Sequence, residues 1–430
     1  MSRTILSSPT VNSIETTAAW QARRSGSGCK ADSVVVAWEN PSSQAVWVNN
    51  CGGSFGAPKV ATTSRWGVLT DLDGQDAASY GVDASVIGVP GRNGVFAFAA
   101  VMTTTEGNHD LALATSVDGG QNFSAQAVVN DLPGVALPVL GADPTDSNGT
   151  IYAAWQDGSY IYLRKATVAA DGSVALSEIL PSVIPPNYQG GGFTLAVENG
   201  TVWLAYADLW GESPLSPHCD TSAQTVHWYS GSTSDDGMNW TWQPTAIDGD
   251  ANWKWCVGNE STSVAYGNDT RPELVYAPGL NQLAMAYAKT GVGNAYQKIY
   301  VATFDVGGSG NWVVQKPADQ PDGYDSFRPS FASYPTASTS QAFGLSWLRA
   351  DQAFPAGNVT AWMTTSTTGA TSWANPQQIS ASSWQFGSTP WNGGYAGMAA
   401  VGGGANDFWP AWVAVNSGHD VVVTAEWSTP

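Results

Sequence analysis

Seven times along this chain a short apolar strand ends in a small residue followed by a large aromatic or its stand-in. The copies are Val36-Ala37-Trp38, Phe98-Ala99-Ala100, Ala153-Ala154-Trp155, Leu204-Ala205-Tyr206, Met285-Ala286-Tyr287, Leu345-Ser346-Trp347 and Pro410-Ala411-Trp412. They recur at spacings of roughly 50 to 80 residues, and a repeat of that size marks a stacked or circular array. Around each copy the pattern has four parts. An inner strand comes first, such as Arg271 to Tyr276 or Phe327 to Ala332. The repeated strand, a third strand ending in a polar turn, and a short fourth strand follow. Four antiparallel strands repeated radially describe a propeller blade. The expected fold is therefore all-β, a seven-bladed β-propeller of four-stranded antiparallel blades forming one domain over 1–430. The second strands are expected near 34–39, 95–101, 150–156, 201–207, 283–289, 343–349 and 407–413. The last unit ends at its third strand, Val421 to Trp427. The N-terminal stretch from Ile5 to Thr16 is expected to add the missing strand and close the ring, which removes exposed sheet edges.

Bulk properties narrow the function. The 430 residues carry a net charge of −19 with only 12% charged side chains. Phosphate backbones and anionic lipid need a basic surface, so neither nucleic acid nor membrane is an expected partner. No run approaches the roughly 18 apolar residues of a spanning helix. Met1-Ser2-Arg3-Thr4 lacks the apolar region of a signal peptide. Seven Asn-X-Ser/Thr sequons, at Asn122, Asn148, Asn199, Asn239, Asn259, Asn268 and Asn358, favour secretion weakly in a chain this rich in Asn, Ser and Thr.

The third-strand turns carry a second signature. Ser116-Val117-Asp118-Gly119-Gly120-Gln121-Asn122-Phe123 fits Ser-x-Asp-x-Gly-x-x-aromatic, and Thr233-Ser234-Asp235-Asp236-Gly237-Met238-Asn239-Trp240 fits it again. Val48 to Phe55 is a looser copy, and Thr365 to Trp373 and Thr303 to Trp312 are degenerate. Asp accepts backbone N–H bonds in the turn, Gly takes a positive φ, and the aromatic tucks under the blade. These turns resemble the Asp-box (BNR repeat) of the sialidase superfamily, and the end of the chain, Gly393 through Trp412, resembles the last blade of bacterial Asp-box propellers. The resemblance implies a structural Asp-box on the face opposite the ligand. It does not extend to sialidase chemistry. The family's Phe/Tyr-Arg-Ile-Pro motif is absent, Asn259-Glu260-Ser261 falls in a loop, Lys289 stands where an arginine is required, and Tyr395 is followed by Ala396 instead of Ser.

Propeller geometry sorts residues by face. Loops entering first strands and leaving second strands lie on one face, here called the top, and loops after first and third strands lie at the bottom. Cys29 and Cys51 both fall at the bottom of blade one, and Cys219 and Cys256 both fall in top loops of neighbouring blades. Four cysteines allow three pairings, and only Cys29–Cys51 with Cys219–Cys256 is local in both cases. Two disulfides imply an oxidising, extracellular compartment.

Long top loops occur near 62–80, 209–223, 249–270 and 382–394, and they carry Trp66, Trp210, Trp253, Trp255, Trp384 and Trp391. An indole in a polar loop either anchors that loop or stacks on a sugar ring. Charges also gather at this face. Glu39, Asp157, Asp208, Lys289 and Arg349 end second strands, Glu106 and His109 flank the turn of blade two, and Asp83, Arg271, Arg328 and Tyr395 open first strands. Paired carboxylates such as Glu39, Asp157 and Asp208 suit glycoside hydrolysis. Tyr395 or His109 could abstract a proton in a lyase. The planar forks of Arg271, Arg328 and Arg349, with Lys289, would hold substrate carboxylates.

The loops and strand ends differ from blade to blade. That asymmetry suits one composite enzyme site, a hydrolase or lyase, better than a lectin with a pocket in every blade. A glycan is the expected partner of a monomeric protein, and binding to glycan or to protein without turnover are the alternatives. No His cluster has metal-ligand spacing. Asp71-Leu72-Asp73-Gly74-Gln75-Asp76 could hold calcium through Asp71, Asp73 and Asp76, although it lacks the closing Glu of an EF-hand.

Overall fold

The computed structural model describes residues 3–6, 14–40, 42, 44–71, 73–130, 135–157, 160–178, 182–186, 193–207, 228–248, 273–290, 296–308, 310–317, 320–334, 343–352, 357–366, 369–385, 397–401, 407–416 and 419–428. Among them seven antiparallel sheets form, six of them built in chain order from the inside outward and the seventh completed by an N-terminal strand. The second strands run Ser33–Glu39, Phe96–Thr104, Thr150–Asp157, Thr201–Ala207, Gln282–Thr290, Phe343–Ala350 and Asp407–Asn416, within a few residues of their expected positions. The first strands, Ile14–Gln21, Ala77–Gly88, Ala136–Gly141, Phe193–Glu198, Glu273–Ala277, Asp325–Ser333 and Gly397–Val401, contact one another in a closed circuit. The result is a seven-bladed β-propeller with one helical turn, Thr63–Trp66, among the described residues.

Ring closure differs in detail from expectation. The strand that completes blade seven is Arg3–Ile5, paired antiparallel with His419–Ala425 in register Arg3↔Ala425 to Ile5↔Val423. The end of the stretch expected to close the ring, from Ile14 to Thr16, instead belongs to Ile14–Gln21, the inner strand of blade one. Leu6 is buried behind the clasp and its N–H donates to Val422 O at 2.8 Å.

The repeated small–aromatic step acquires a physical reason here. Each blade is covered on both faces, so its second strand reads as a continuous apolar run instead of alternating with polar residues. Ser33–Glu39 is buried at all its positions. Successive side chains still point to opposite faces. Ala154 packs toward blade four and Trp155 toward blade two. Ala205 packs toward blade five and Tyr206 toward blade three. Ala37 and Trp38, Ala286 and Tyr287, and Ala411 and Trp412 divide in the same sense. Each of these interfaces thus meets a small residue from the preceding blade and a large one from the following blade. Seven apolar clusters fill the seven interfaces.

The bottom face is stitched across blades. In the Ser116–Phe123 turn the Asp118 carboxylate accepts Ser116 Oγ at 2.8 Å, Asn122 N at 2.9 Å and Asn122 Nδ2 at 2.9 Å. The Thr233–Trp240 turn repeats these bonds at Asp235, from Thr233 Oγ1 at 2.6 Å, Asn239 N at 2.9 Å and Asn239 Nδ2 at 2.6 Å. Gly120 has φ +82, and a Cβ there would lie 2.2 Å from Val35 Cγ2 of blade one. The Cys29–Cys51 disulfide forms beneath this turn. Gln121 Nε2 donates to Ser27 O at 2.9 Å, and Trp47 Nε1 donates to Gly120 O at 3.2 Å. Arg92 of blade two donates to Ser147 O and Asn148 O of blade three, both at 2.7 Å. The pairing expected for Cys219 and Cys256 lies outside the described residues.

The alternation makes a paired expectation. Trp155→Ala should cost about 3–5 kcal/mol by opening a cavity, and Ala154→Leu should cost about 1–3 kcal/mol by overpacking the opposite interface. Denaturant unfolding of both variants checks this, and a tolerated leucine at 154 would show that the small residue is not required.

Candidate functional site

The top face is built by the C-terminal ends of the second strands and the N-terminal ends of the first and third strands. Glu39 ends its strand buried, at 8% exposure. Asp157 is half-buried and sits opposite Tyr160 across the tight connection of blade three. Glu106 and His109 are exposed at the corresponding turn of blade two. These carboxylates and the imidazole stand on three different blades, one, two and three. Asp208, Tyr395, Arg271, Trp210, Trp253, Trp255 and Trp391 lie outside the described residues.

The cations of blades five and six are brought together and are mostly engaged by the protein itself. Lys289 is buried, its Nζ 2.7 Å from Asp248 Oδ2 and 4.4 Å from the Tyr300 ring centre. Tyr287 OH donates to the same Asp248 oxygen at 2.8 Å. Asp248 comes from the entry to blade five, so this triad ties that entry to the second strand. Lys289, one of the residues expected to hold substrate, thus finds in Asp248 the counter-ion that a lysine this buried needs. Lys298 Nζ donates to the carbonyls of Pro321 and Tyr324 at 2.6 and 2.8 Å, and burial lowers its pKa.

Arg328 is buried and has φ +53. The register of the inner strand breaks there, between Phe327 and Ser330. A non-glycine residue in that region costs about 1–3 kcal/mol and persists where its surroundings impose it. Arg349, half-buried, lies 3.4 Å from the Trp362 ring centre and 4.9 Å from that of Tyr324. Tyr324 keeps 37% of its surface exposed. This makes a basic and aromatic corner on top of blade six.

Glu273 escaped notice in the sequence. It opens the inner strand of blade five, and its carboxyl accepts the Phe331 N–H and Ser330 Oγ, the latter at 3.1 and 3.2 Å, from the inner strand of blade six. Burial raises its pKa to about 8, against the lowering effect of those bonds. One signal pointed to it. Arg271-Pro272 and Arg328-Pro329 occupy equivalent places, so Glu273 aligns with Ser330, the residue it touches.

Two loop tryptophans anchor their loops instead of offering an open ring. Trp66 is 1% exposed against Trp47, Tyr80 and Phe98, and Trp384 is 7% exposed in the interface of blades six and seven. In the stretch expected to hold calcium, the Asp71 carboxylate accepts Gln75 N at 2.5 Å, Asp73 is exposed, and Asp76 accepts Thr70 Oγ1 at 3.2 Å. Among the described residues no group of three His, Cys, Asp or Glu side chains is arranged to hold a metal ion. None of the described helices is long and apolar enough to cross a membrane.

Two consequences can be measured. Lys289→Met or Asp248→Leu alone should cost about 3–5 kcal/mol, while the double replacement should recover most of that loss. Equilibrium unfolding of the three variants checks it. For Glu273 the folded pKa of about 8 lies above the ordinary 4.5. The folded state therefore binds the extra proton between those values, and stability falls as pH rises through that window and levels off above it. Glu273→Gln should remove this decline, so its melting temperature should gain on the parent between pH 5 and pH 8. A constant difference would show that Glu273 titrates normally.

No family model matches the chain, and no curated protein matches it. Solved structures similar to it include the Trypanosoma rangeli sialidase in complex with the inhibitor DANA, with a TM-score of 0.46 and 12% identity over 84% of this chain and 57% of that one. Another is a mutant of the Aleuria aurantia lectin in complex with alpha-methyl-L-fucoside, with a TM-score of 0.42 and 9% identity over 88% of this chain and 98% of that one. A third is a thermostable family-43 glycoside hydrolase, with a TM-score of 0.38 and 12% identity over 73% of this chain and 96% of that one. The chain thus spans little more than half of the length of that sialidase. Likeness at this level carries no argument about activity.

Proposed function

We propose that the protein is a secreted carbohydrate-active propeller, a glycoside hydrolase or polysaccharide lyase, working at one composite site on the top face. The inequality of the blades there carries the reading. Glu39 and Asp157 end the second strands of blades one and three with a carboxylate, Thr104 and Thr290 end those of blades two and five with a hydroxyl, and Ala350 ends that of blade six with a methyl, so no single group is repeated around the ring. A lectin with one pocket per blade would repeat its strand ends. The corner formed by Arg349, Trp362 and Tyr324 supplies a cation beside an exposed aromatic ring, which suits an acidic sugar. Asp157, Asp208, Tyr395, His109 and Glu39 are the candidate acids, bases and nucleophiles, and Arg271, Arg328 and Arg349 with Trp210, Trp253, Trp255 and Trp391 are the candidate binding residues. The turns at Asp118 and Asp235 act as scaffold on the opposite face. The Cys29–Cys51 bridge supports an oxidising compartment.

Incubation with neutral and acidic oligosaccharides and polysaccharides tests this. New reducing ends are expected from a hydrolase, and unsaturated product absorbing in the ultraviolet from a lyase. Asp157→Asn should lower turnover by about 100-fold or more. Arg349→Ala should raise KM for acidic substrates and leave neutral ones unchanged. Binding without turnover would replace the enzyme by a glycan-binding propeller. Neither binding nor turnover would overturn the carbohydrate reading.

A further inference from the structure

The alternation that fills the blade interfaces also sorts the side chains standing above them. On blade three, Trp155 and Tyr162 lie directly opposite each other and stack at 5.5 Å, facing blade two. Ile161, between the third-strand positions of that side, faces blade four. The next pair up on the side of Trp155 and Tyr162 is Asp157 with Tyr160. On blade two, Val101 and Leu111 lie opposite each other and face blade three, whereas Met102 and Ala112 face blade one. The next pair up on the side of Val101 and Leu111 is Thr103 with His109. A groove over the interface of blades two and three thus has Thr103 and His109 on one wall and Asp157 and Tyr160 on the other.

Glu39 does not share this groove. It lies two residues beyond Ala37, which packs toward blade two, so it stands over the interface of blades one and two. Among the described candidate acids and bases, the register therefore brings Asp157 and His109 to facing walls and leaves Glu39 apart.

Tyr160 keeps 43% of its surface exposed, while Trp155 below it is fully buried. The Tyr160 ring is thus not spent on filling the interface. Directly opposite residues of an antiparallel pair have Cβ atoms about 4.5–5.5 Å apart, so the ring stands beside the Asp157 carboxylate. An aromatic face receives the C–H face of a sugar ring. A carboxylate accepts the hydroxyls of that ring, and an imidazole on the opposing wall donates to them or accepts from them. Arg164 also faces blade two, further down the third strand, and its guanidinium donates to Val129 O at 2.6 Å and Ser177 O at 2.8 Å. With a carboxylate at the top of the wall and this cation engaged by carbonyls below, the groove suits an uncharged ring, unlike the basic corner of blade six. We propose that this groove is a subsite for a neutral pyranose, with Tyr160 as its stacking platform and Asp157 and His109 bonding its hydroxyls from facing walls. The proposal rests on the carbohydrate reading and adds where, and against which side chain, one ring is held.

Methyl glycosides of glucose, galactose, mannose and xylose and the β-linked tetrasaccharides of these sugars are suitable neutral probes, with tetragalacturonate as the acidic one. Binding to the full chain is followed by calorimetry. The best-bound neutral probe should bind about tenfold more weakly to Tyr160→Ala, and within about threefold of the parent to Tyr160→Phe. Melting temperatures of both variants should match the parent, because the ring is exposed. Equal affinity of the parent and Tyr160→Ala would overturn the proposal and leave the carbohydrate reading standing, as would binding of the acidic probe alone. A Tyr160→Phe variant as weak as Tyr160→Ala would overturn the stacking role. No binding of any probe, neutral or acidic, would overturn the proposal together with the reading it rests on. Should Tyr160→Ala melt early, the His109 ring signals, identified by their loss in His109→Gln, decide by nuclear magnetic resonance. Saturating neutral probe should shift them, and signals that stay in place while the probe binds would refute the groove.

Discussion

The structure depends on one packing constraint, the meeting of a small and a large side chain across six of the seven blade interfaces. A second strand buried on both faces must serve two neighbours at once. The period of two sends Ala154 to one neighbour and Trp155 to the other. If both were large the wedge between blades would not close, and if both were small it would be underfilled. Blade two departs from the rule. Its Ala99 and Ala100 are both small, and the interface with blade one is filled instead by Phe98, Phe123, Trp47 and Trp66, which meet edge to face or tilted at 5.2 to 6.2 Å. Trp66 belongs to a top loop, so that loop supplies the aromatic mass that the strand lacks.

The same constraint divides labour between the two faces. The bottom turns are recruited into the interfaces. Gly120 passes against Val35 of the next blade, and Asp236 of blade four bonds Tyr152 at 2.7 Å and Lys165 at 3.0 Å on blade three. Side chains committed to a neighbour cannot vary without disturbing that neighbour. The second-strand tops vary more, with a carboxylate on blades one and three, a threonine on two and five, and an alanine on six. Variation collects where packing does not forbid it, and sites collect there for the same reason.

How much of this was legible follows from the range of each interaction. The blade repeat, the strand positions and the Cys29–Cys51 bridge were readable because each depends on local periodicity or on which face a loop occupies. Trp66 and Trp384 were ambiguous because sequence shows that a tryptophan lies in a polar loop but not whether a gap in the next interface receives it. Lys289 read as a substrate contact because its counter-ion, Asp248, is 41 residues away in a stretch without a motif. Glu273 was passed over for a related reason. Its environment comes from Ser330 and Phe331 on another blade, and only the alignment of the two Arg-Pro steps hinted that they meet. The closing strand was misplaced by a few residues because Ile14–Gln21 has the apolar pattern of an inner strand as much as of an outer one.

Near the channel the described charges fall unequally on the blades. The cations Lys289, Lys298, Arg328 and Arg349 at the top all belong to blades five and six. The bottom loops carry both signs, Asp143 and Glu198 on blades three and four and Arg23, Arg24 and Arg92 on blades one and two. Between them the inner strands leave their channel edges unpaired, since each has only one sheet partner. Unpaired N–H groups in a narrow apolar passage need acceptors. Glu273 answers that need for Phe331 by reaching across from the neighbouring blade. Its elevated pKa is the consequence, because a carboxyl drawn between two inner strands to satisfy a backbone donor loses hydration that would stabilise its charge. The packing of neighbouring inner strands thus also sets the protonation state of Glu273.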